Sequence, residues 1–410
     1  NYCRNNERNM FFYLLFFHIF VSIFLFIVAN SEYLSSMHDG LGFWHFARDS
    51  AKYHVEALNL VSHLQRYEWS EWWNLYPEHQ HVKIIALIYL STGYHMPIAF
   101  EIVNSFVWAT SILLIHRVSK LLFINNNLTS LVGIMFFFQP SILISSTQLL
   151  RDPILILGFC FILYGFAVFS KQKTTWKWAV MIQIGIILLL LMREYLSIVI
   201  LACLLLPSIA LIKEKRFIPP LLFLIIPMLF LVFFAPHKYV PDVNSIIDTT
   251  EKQVQTPFTT ENQVQTPFTT ENQVQTPVTS EKKFQSIYLN AITFKISSLR
   301  NDFFDINIAG AGSSIDLNYR FNSVSELVKY FPRALQIGLL SPFPRDWFEK
   351  GQATGKIGRL LAGMEMIIWY LILSGFIFVV FKNPSVLKPF TTIFLFSITL
   401  IILYAYVIPN

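Results

Sequence analysis

MFFYLLFFHIFVSIFLFIVA, Met10–Ala29, contains no charged side chain. A helix needs ~20 such residues to cross ~30 Å of hydrocarbon at ~1.5 Å per residue. Arg4 and Arg8 precede the run and no small-residue cleavage site follows it, so it reads as a retained first span rather than a signal peptide. Similar runs recur at Pro97–Ile115, Leu128–Ser146, Pro153–Phe169, Trp176–Met192, Tyr195–Ile212, Phe217–Ala235, Gly363–Phe381 and Pro389–Ile408. The expected fold is an all-α polytopic transmembrane bundle of about nine spans. Gln139 and Pro140 interrupt Leu128–Ser146, which predicts a kinked span, because neighbouring helices can satisfy the freed backbone groups.

Composition agrees. Of 410 residues, 54% are hydrophobic and 14% charged, against roughly a quarter charged in soluble proteins. Mean hydropathy is +0.51 and Phe occurs 40 times, too little polar surface to cover a globule in water. The net charge of +6 does not indicate nucleic acid, since the cations sit in short clusters between apolar runs. Cys160 and Cys203 fall inside apolar runs, and no Cys/His spacing, Cys3 included, resembles a zinc site. Asn1 opens the chain without methionine and the last apolar run nearly reaches its end, as expected of a fragment.

The cations then give an orientation. Arg4 and Arg8, Arg117 and Lys120, Lys171 and Lys173, Lys213, Lys215 and Arg216, and Lys382 and Lys388 all fall on one side of the nine-span arrangement. Short loops opposite offer only Arg151 and Arg193, each beside a carboxylate. The positive-inside rule therefore puts the N-terminus in the cytoplasm. Residues 1–235 form a transmembrane core with a first outer loop at 30–96. Residues 236–362 form a second outer loop, and 363–410 a C-terminal pair of spans. Within the first loop Val82–Leu90 is apolar but too short to span. Within the second, TTEKQVQTPF, TTENQVQTPF, TTENQVQTPV and a decayed TSEKKFQ occupy Thr249–Gln285. This decapeptide repeat lacks the apolar surface to offset ordering entropy and reads as a disordered, recently expanded insertion.

Chemistry is expected on the outer side. HDGLGFWHFARDSAKYHVEALNLVSHLQ (His38–Gln65) turns helical from Arg48, with Ala47, Ala51, Val55 and Leu58 on one face. Asp49, Lys52, Tyr53 and Glu56 share another, at i, i+3, i+4 and i+7. A carboxylate there could act as a general base; an interfacial amphipathic helix with a solvated polar face has the same spacing. PSILISSTQLLRDPILILGF (Pro140–Phe159) opens a span with Arg151–Asp152, where Asp152 also suits a helix N-terminus. Arg193–Glu194 lies between two later runs on the same side. AGAGSSIDLNYRFNSVSELVKYFPRALQIGLLSPFPRDWFEKG (Ala309–Gly351) offers small residues at Ala309–Ser314 and two candidate phosphate ligands, Arg333 and Arg345. Its Leu335–Leu340 and Pro342–Trp347 read as an interfacial apolar hairpin, unless the whole segment is a loop packed on the bundle.

In this order, the features of about residues 10–215 resemble the GT-C superfamily of membrane glycosyltransferases, of bacterial surface-polysaccharide type. ARDSAKYHVEA (Ala47–Ala57) is similar in character to the acid-bearing helix of that family's first outer loop. HVKIIALIYLSTGYHMPIAFEIVNSFVWATSILLIHRVSKLLF (His81–Phe123) is similar to its amphipathic helix, Gly turn and second span. The resemblance implies transfer of a sugar from a polyprenyl-phosphate donor to a glycan, lipid or protein acceptor on the outer face of the plasma membrane. Asp49 and Asp152 would be the catalytic acids, and Tyr53, His54, Arg151 and Arg193 would bind substrate; Arg333 and Arg345, in the second outer loop that the resemblance does not cover, join the substrate-binding set on their own chemistry as phosphate ligands. Arg side chains or a divalent cation would stabilise the leaving phosphate. The family's adjacent acidic pair is here Arg48–Asp49 or His38–Asp39, which leaves the base open. A repeat-unit polymerase or ligase, relying on outer-loop Arg and His, is the alternative enzyme; a transporter or flippase is the non-enzymatic one. The charge pattern makes a direct prediction: a cysteine at Thr260 reacts with an impermeant maleimide in intact cells, while one at Lys173 is protected. The reverse labelling would invert the topology.

Overall fold

The computed structural model describes residues 2–122, 133, 135–137, 139–171, 176–193, 196–213, 293, 296–298, 300, 315–316, 319–349, 355–384, 387 and 390–407. The expected span Phe217–Ala235, the repeat Thr249–Gln285, the small-residue stretch Ala309–Ser314 and part of Leu128–Ser146 lie outside them. Among the described residues the regular elements are helical, with no strand. They are α1 (Tyr2–Ala29), α2 (Arg48–Gln65), α3 (Trp69–Asn74), α4 (Gln80–Thr92), α5 (Glu101–Leu122), α6 (Pro140–Ser145) and α7 (Asp152–Lys171). After these come α8 (Lys177–Met192), α9 (Leu196–Lys213), α10 (Val324–Leu340), α11 (Gly355–Lys382) and α12 (Thr391–Val407).

Among the described residues four helices are long and apolar enough to cross a membrane: Asn6–Ala29, Pro97–Leu122, Asp152–Lys171 and Gly355–Lys382. Lys177–Met192 and Thr391–Tyr406 are apolar but shorter. Residues 135–137 are helical, Gln139 is extended (φ −76°, ψ 105°) and α6 restarts at Pro140, so the chain bends at the residues that interrupt the apolar run.

The bundle core lies between α5, α7, α8, α9 and α12, around Ile162, Phe166, Ile182, Ile186, Leu189 and Phe396. Lipid tails are as apolar as leucine, so close packing has to hold membrane helices together. Glycines permit it here. A Cβ on Gly185 would lie 2.5 Å from the Gly158 carbonyl oxygen, and one on Gly165 would lie 2.5 Å from Ile182 Cγ1. α7 and α8 therefore meet backbone to backbone. Polar ties add to this. The ring nitrogens of His18, on α1, lie 2.8 Å from Ser105 Oγ on α5 and 2.7 Å from Ser146 Oγ beyond α6. At the other end of the same helices Glu7 accepts hydrogen bonds from Arg117 at 2.9 and 3.1 Å and from Lys120 at 3.4 Å.

A second core packs α2 against α4 and the start of α5, using Tyr53, Leu60, Ile85, Tyr89, Phe100 and Leu149. Each such side chain contributes roughly 1.5–3 kcal/mol by burial. α4 ends where Gly93 takes the left-handed conformation (φ 65°), a backbone state that suits a residue without a Cβ. At thirteen residues it is too short to span. The α2 faces differ from the sequence expectation. Val55 is 64% exposed, while Ser50, Tyr53, Glu56, Ala57 and Leu60 are buried; Asp49 and Lys52 remain exposed. The large Tyr53 ring gains more from the α4 surface than Val55 can, and this rotates the helix.

α10 and α12 form a third core around Tyr330, Ala334, Ile337 and Tyr406. Ser323 Oγ accepts from Glu326 N at 3.3 Å, and Glu326 reaches back to Asn322 N at 2.8 Å, a reciprocal cap. The expected hairpin is corrected: Leu335–Leu340 is the last part of continuous α10, and Trp347 turns onto α11 against Gly363 and Tyr370. Gly185→Val should lower the melting temperature of the detergent-solubilised protein, since overpacking costs about 1–3 kcal/mol. Gly375→Val, where a Cβ meets nothing within 4 Å, is the control and should leave it unchanged.

Candidate functional site

Ser146–Leu149 is non-helical yet buried, so its polar groups need partners from other elements. Asn104 Nδ2 donates to the Gln148 carbonyl at 2.9 Å, Leu149 N donates to Ser50 Oγ at 3.0 Å, and Trp44 N donates to Gln148 Oε1 at 3.4 Å. These bonds fix the approach to Arg151 and Asp152 under α2.

Tyr53 is the meeting point. Arg151, Asp49, Arg193 and Asp152 all lie within electrostatic reach of its hydroxyl. Burial pushes that hydroxyl up to about 12, the two arginines pull it down, and the two carboxylates push it up. Four other residues singled out in the sequence thus act electrostatically on Tyr53, although they come from α2, from α7 and its approach, and from the end of α8. Arg193 Nη2 donates to Asp152 Oδ1 at 3.3 Å. The pair lines a cavity of about 320 Å³ between α7, α10 and α12, together with Leu155, Ile156, Phe159, Gly338, Leu400 and Tyr404.

His54 faces away from this point: its Nδ1 lies 2.9 Å from the Tyr89 hydroxyl, and burial holds its pKa below the usual histidine range. Burial also pushes the Tyr89 hydroxyl up, with the Glu101 charge second. Arg333 is separate again. It forms a two-pronged pair with Asp316 at 2.8 and 3.1 Å, which holds Asp316 below the usual carboxylate range. Arg345 is exposed and pairs with its neighbour Asp346.

The spacing argument passed over two histidines. His81 is fully buried, packs edge-on to Tyr53 at 4.3 Å, and neither ring nitrogen has a hydrogen-bond partner among the described residues. Burial, with Arg151, His79 and Arg193 acting the same way, holds it well below the usual histidine range. His79 packs on Tyr53 at 5.0 Å, and its Nδ1 lies 2.7 Å from Glu56 Oε2. The legible signal was the His-x-His spacing just before the apolar stretch Val82–Leu90. Among the described residues no group of three or more His, Cys, Asp or Glu is placed to hold a metal ion.

Compared with protein-family models, curated proteins and solved structures, the chain matches none.

The buried His81 predicts a pH dependence. Its folded pKa lies below its unfolded value of 6.5, so the unfolded chain binds the extra proton. Stability is complete above pH 6.5 and falls as pH drops towards the folded pKa, by about 1.4 kcal/mol per pH unit for one proton. The melting temperature in detergent should therefore decline from pH 7 to pH 5. His81→Leu should make that decline shallower, without abolishing it because His54 pulls the same way. An unchanged slope in His81→Leu would contradict the assignment.

Proposed function

We propose that this is a membrane glycosyltransferase of GT-C type, which moves a sugar from a polyprenyl-phosphate donor to a glycan, lipid or protein acceptor. In this reading it works at the outer face of the plasma membrane, with about nine spans and a cytoplasmic N-terminus. The observation that carries it is the largely apolar cavity lined in part by Arg193 and Asp152, two residues that also act electrostatically on Tyr53 along with Arg151 and Asp49. The isoprenoid tail would occupy the cleft. Its phosphate would lie towards Arg193 and Arg151, whose guanidinium groups can form charge-assisted hydrogen bonds to phosphate oxygens. As the sugar–phosphate bond breaks, negative charge develops on the leaving oxygen, and cations held beforehand near that point stabilise it. Asp152 has a positioning role, since its carboxylate already accepts from Arg193 and opens α7. Asp49, exposed at the start of α2, is the acid that the family resemblance names as the base.

The test uses the purified protein in proteoliposomes and a panel of tritiated polyprenyl-phosphate hexoses and pentoses. Arg193→Ala should cut transfer by about 10²-fold, the scale of losing one such donor of charge stabilisation. Ile156→Trp should raise KM for long-chain donors while sparing a short-chain analogue that does not need the cleft. Transfer only from polyprenyl-diphosphate glycans would favour the polymerase or ligase instead. Lipid crossing the bilayer with no sugar transferred would favour the flippase.

A further inference from the structure

We infer that the proton leaving the acceptor hydroxyl goes to His79, held in place by Glu56; this deepens the transferase reading and rests on it. A carboxylate can only accept, so the 2.7 Å contact with Glu56 Oε2 assigns the proton of the imidazole to Nδ1 and the lone pair to Nε2. Nε2 has no hydrogen-bond partner among the described residues. The Glu56 side chain is 9% exposed and that of His79 15%, so the acid is the more shielded of the two and the imidazole is not fully enclosed. Lys52 approaches the other Glu56 oxygen at 3.9 Å. The His79 ring leans on Tyr53 at 5.0 Å and faces His81 at 6.2 Å; Arg151 and Arg193 lie within electrostatic reach of His81.

A proton acceptor oriented by a third group is the arrangement that base catalysis by histidine requires. Asp49 has no such support: it is exposed and makes no hydrogen bond or ion pair with the described residues. In the step proposed, an acceptor oxygen forms a bond to the anomeric carbon while the carbon–oxygen bond to phosphate breaks. The bonding pair leaves on the phosphate oxygen. The acceptor's proton moves to His79 Nε2, and the resulting imidazolium is balanced by the Glu56 carboxylate. Glu56 is a positioning residue, because it acts through His79.

The experiment compares wild type, His79→Ala, Glu56→Gln and Asp49→Asn in the same proteoliposomes with the same tritiated donors. His79→Ala should lose at least ~100-fold in kcat, the usual scale for removing a general base. Added imidazole should restore part of that loss, which a purely structural role would not allow. Glu56→Gln keeps a hydrogen-bonding side chain without the charge and should lose about 10-fold, less than the base itself. Melting temperatures of all four identify any variant that simply misfolds, and in that event His79→Gln replaces His79→Ala. Wild-type rates in the His79 variants, with loss confined to Asp49→Asn, overturn the inference and return the proton to Asp49. Wild-type protein that transfers from none of the donors refutes the transferase reading itself, and the inference with it.

Discussion

A buried stretch of backbone that is neither helix nor strand has to find a partner for every amide and carbonyl, and apolar surroundings raise the cost of each failure. Ser146–Leu149 is such a stretch, and the fold depends on how it is satisfied. Asn104 supplies a donor from α5, Ser50 an acceptor from α2, and Gln148 turns its own side chain to the Trp44 amide. Ser146 also carries one of the His18 contacts that reach α1. A single short connection thereby links α1, α5, α2 with the segment before it, and the start of α7. Remove any of these partners and a buried polar group is stranded, at a cost of about 1–3 kcal/mol.

That constraint also explains the gathering of charges. Arg151 and Asp152 follow directly from the fixed stretch, so their positions are inherited from it and not from their own contacts alone. Asp152 opens α7, where unpaired amides favour an anion, and Arg193 comes from the end of α8, which glycine packing presses against α7. With the helices in backbone contact at Gly158 and Gly185, the ends of α7 and α8 are held close enough for the 3.3 Å ion pair. Asp152 is 44% exposed on its side chain, so the pair itself adds little stability. Its effect is to keep a guanidinium in the lining of a largely apolar cavity.

What the sequence makes legible follows from the range of the physics. Hydropathy is local, and the four helices long enough to span all coincide with runs visible as composition. The start of α2 at Arg48 and the break at Gln139–Pro140 are local backbone effects, and both can be read directly. The buried face of α2 cannot, because the partner that decides it is α4, and Tyr53 turns inward where polar spacing put it outward. Glu56 and His79 are 23 residues apart, and Asp316 and Arg333 are 17 apart. No periodicity joins either pair. Arg333, read as a phosphate ligand, is held by Asp316, a partner that spacing along the chain does not reveal.

The Tyr53 region shows what such a site costs its surroundings. Two arginines near Tyr53 and His81 would be expensive to hold at a dry surface unless carboxylates stood among them, as Asp49 and Asp152 do. The Tyr53 and His81 rings pack edge-on to each other, while Asp49 and Asp152 stay open to water. His81 bears the cost most visibly: both of its ring nitrogens are buried without a partner among the described residues. A phenylalanine would pack there at lower expense, since burying an imidazole unsatisfied forfeits its hydrogen bonds to water. The wall around Tyr53 is therefore not the most stable one these helices could build. Local instability of this kind gathers at working sites, because polar groups needed for chemistry have to be held ready whether or not a ligand satisfies them.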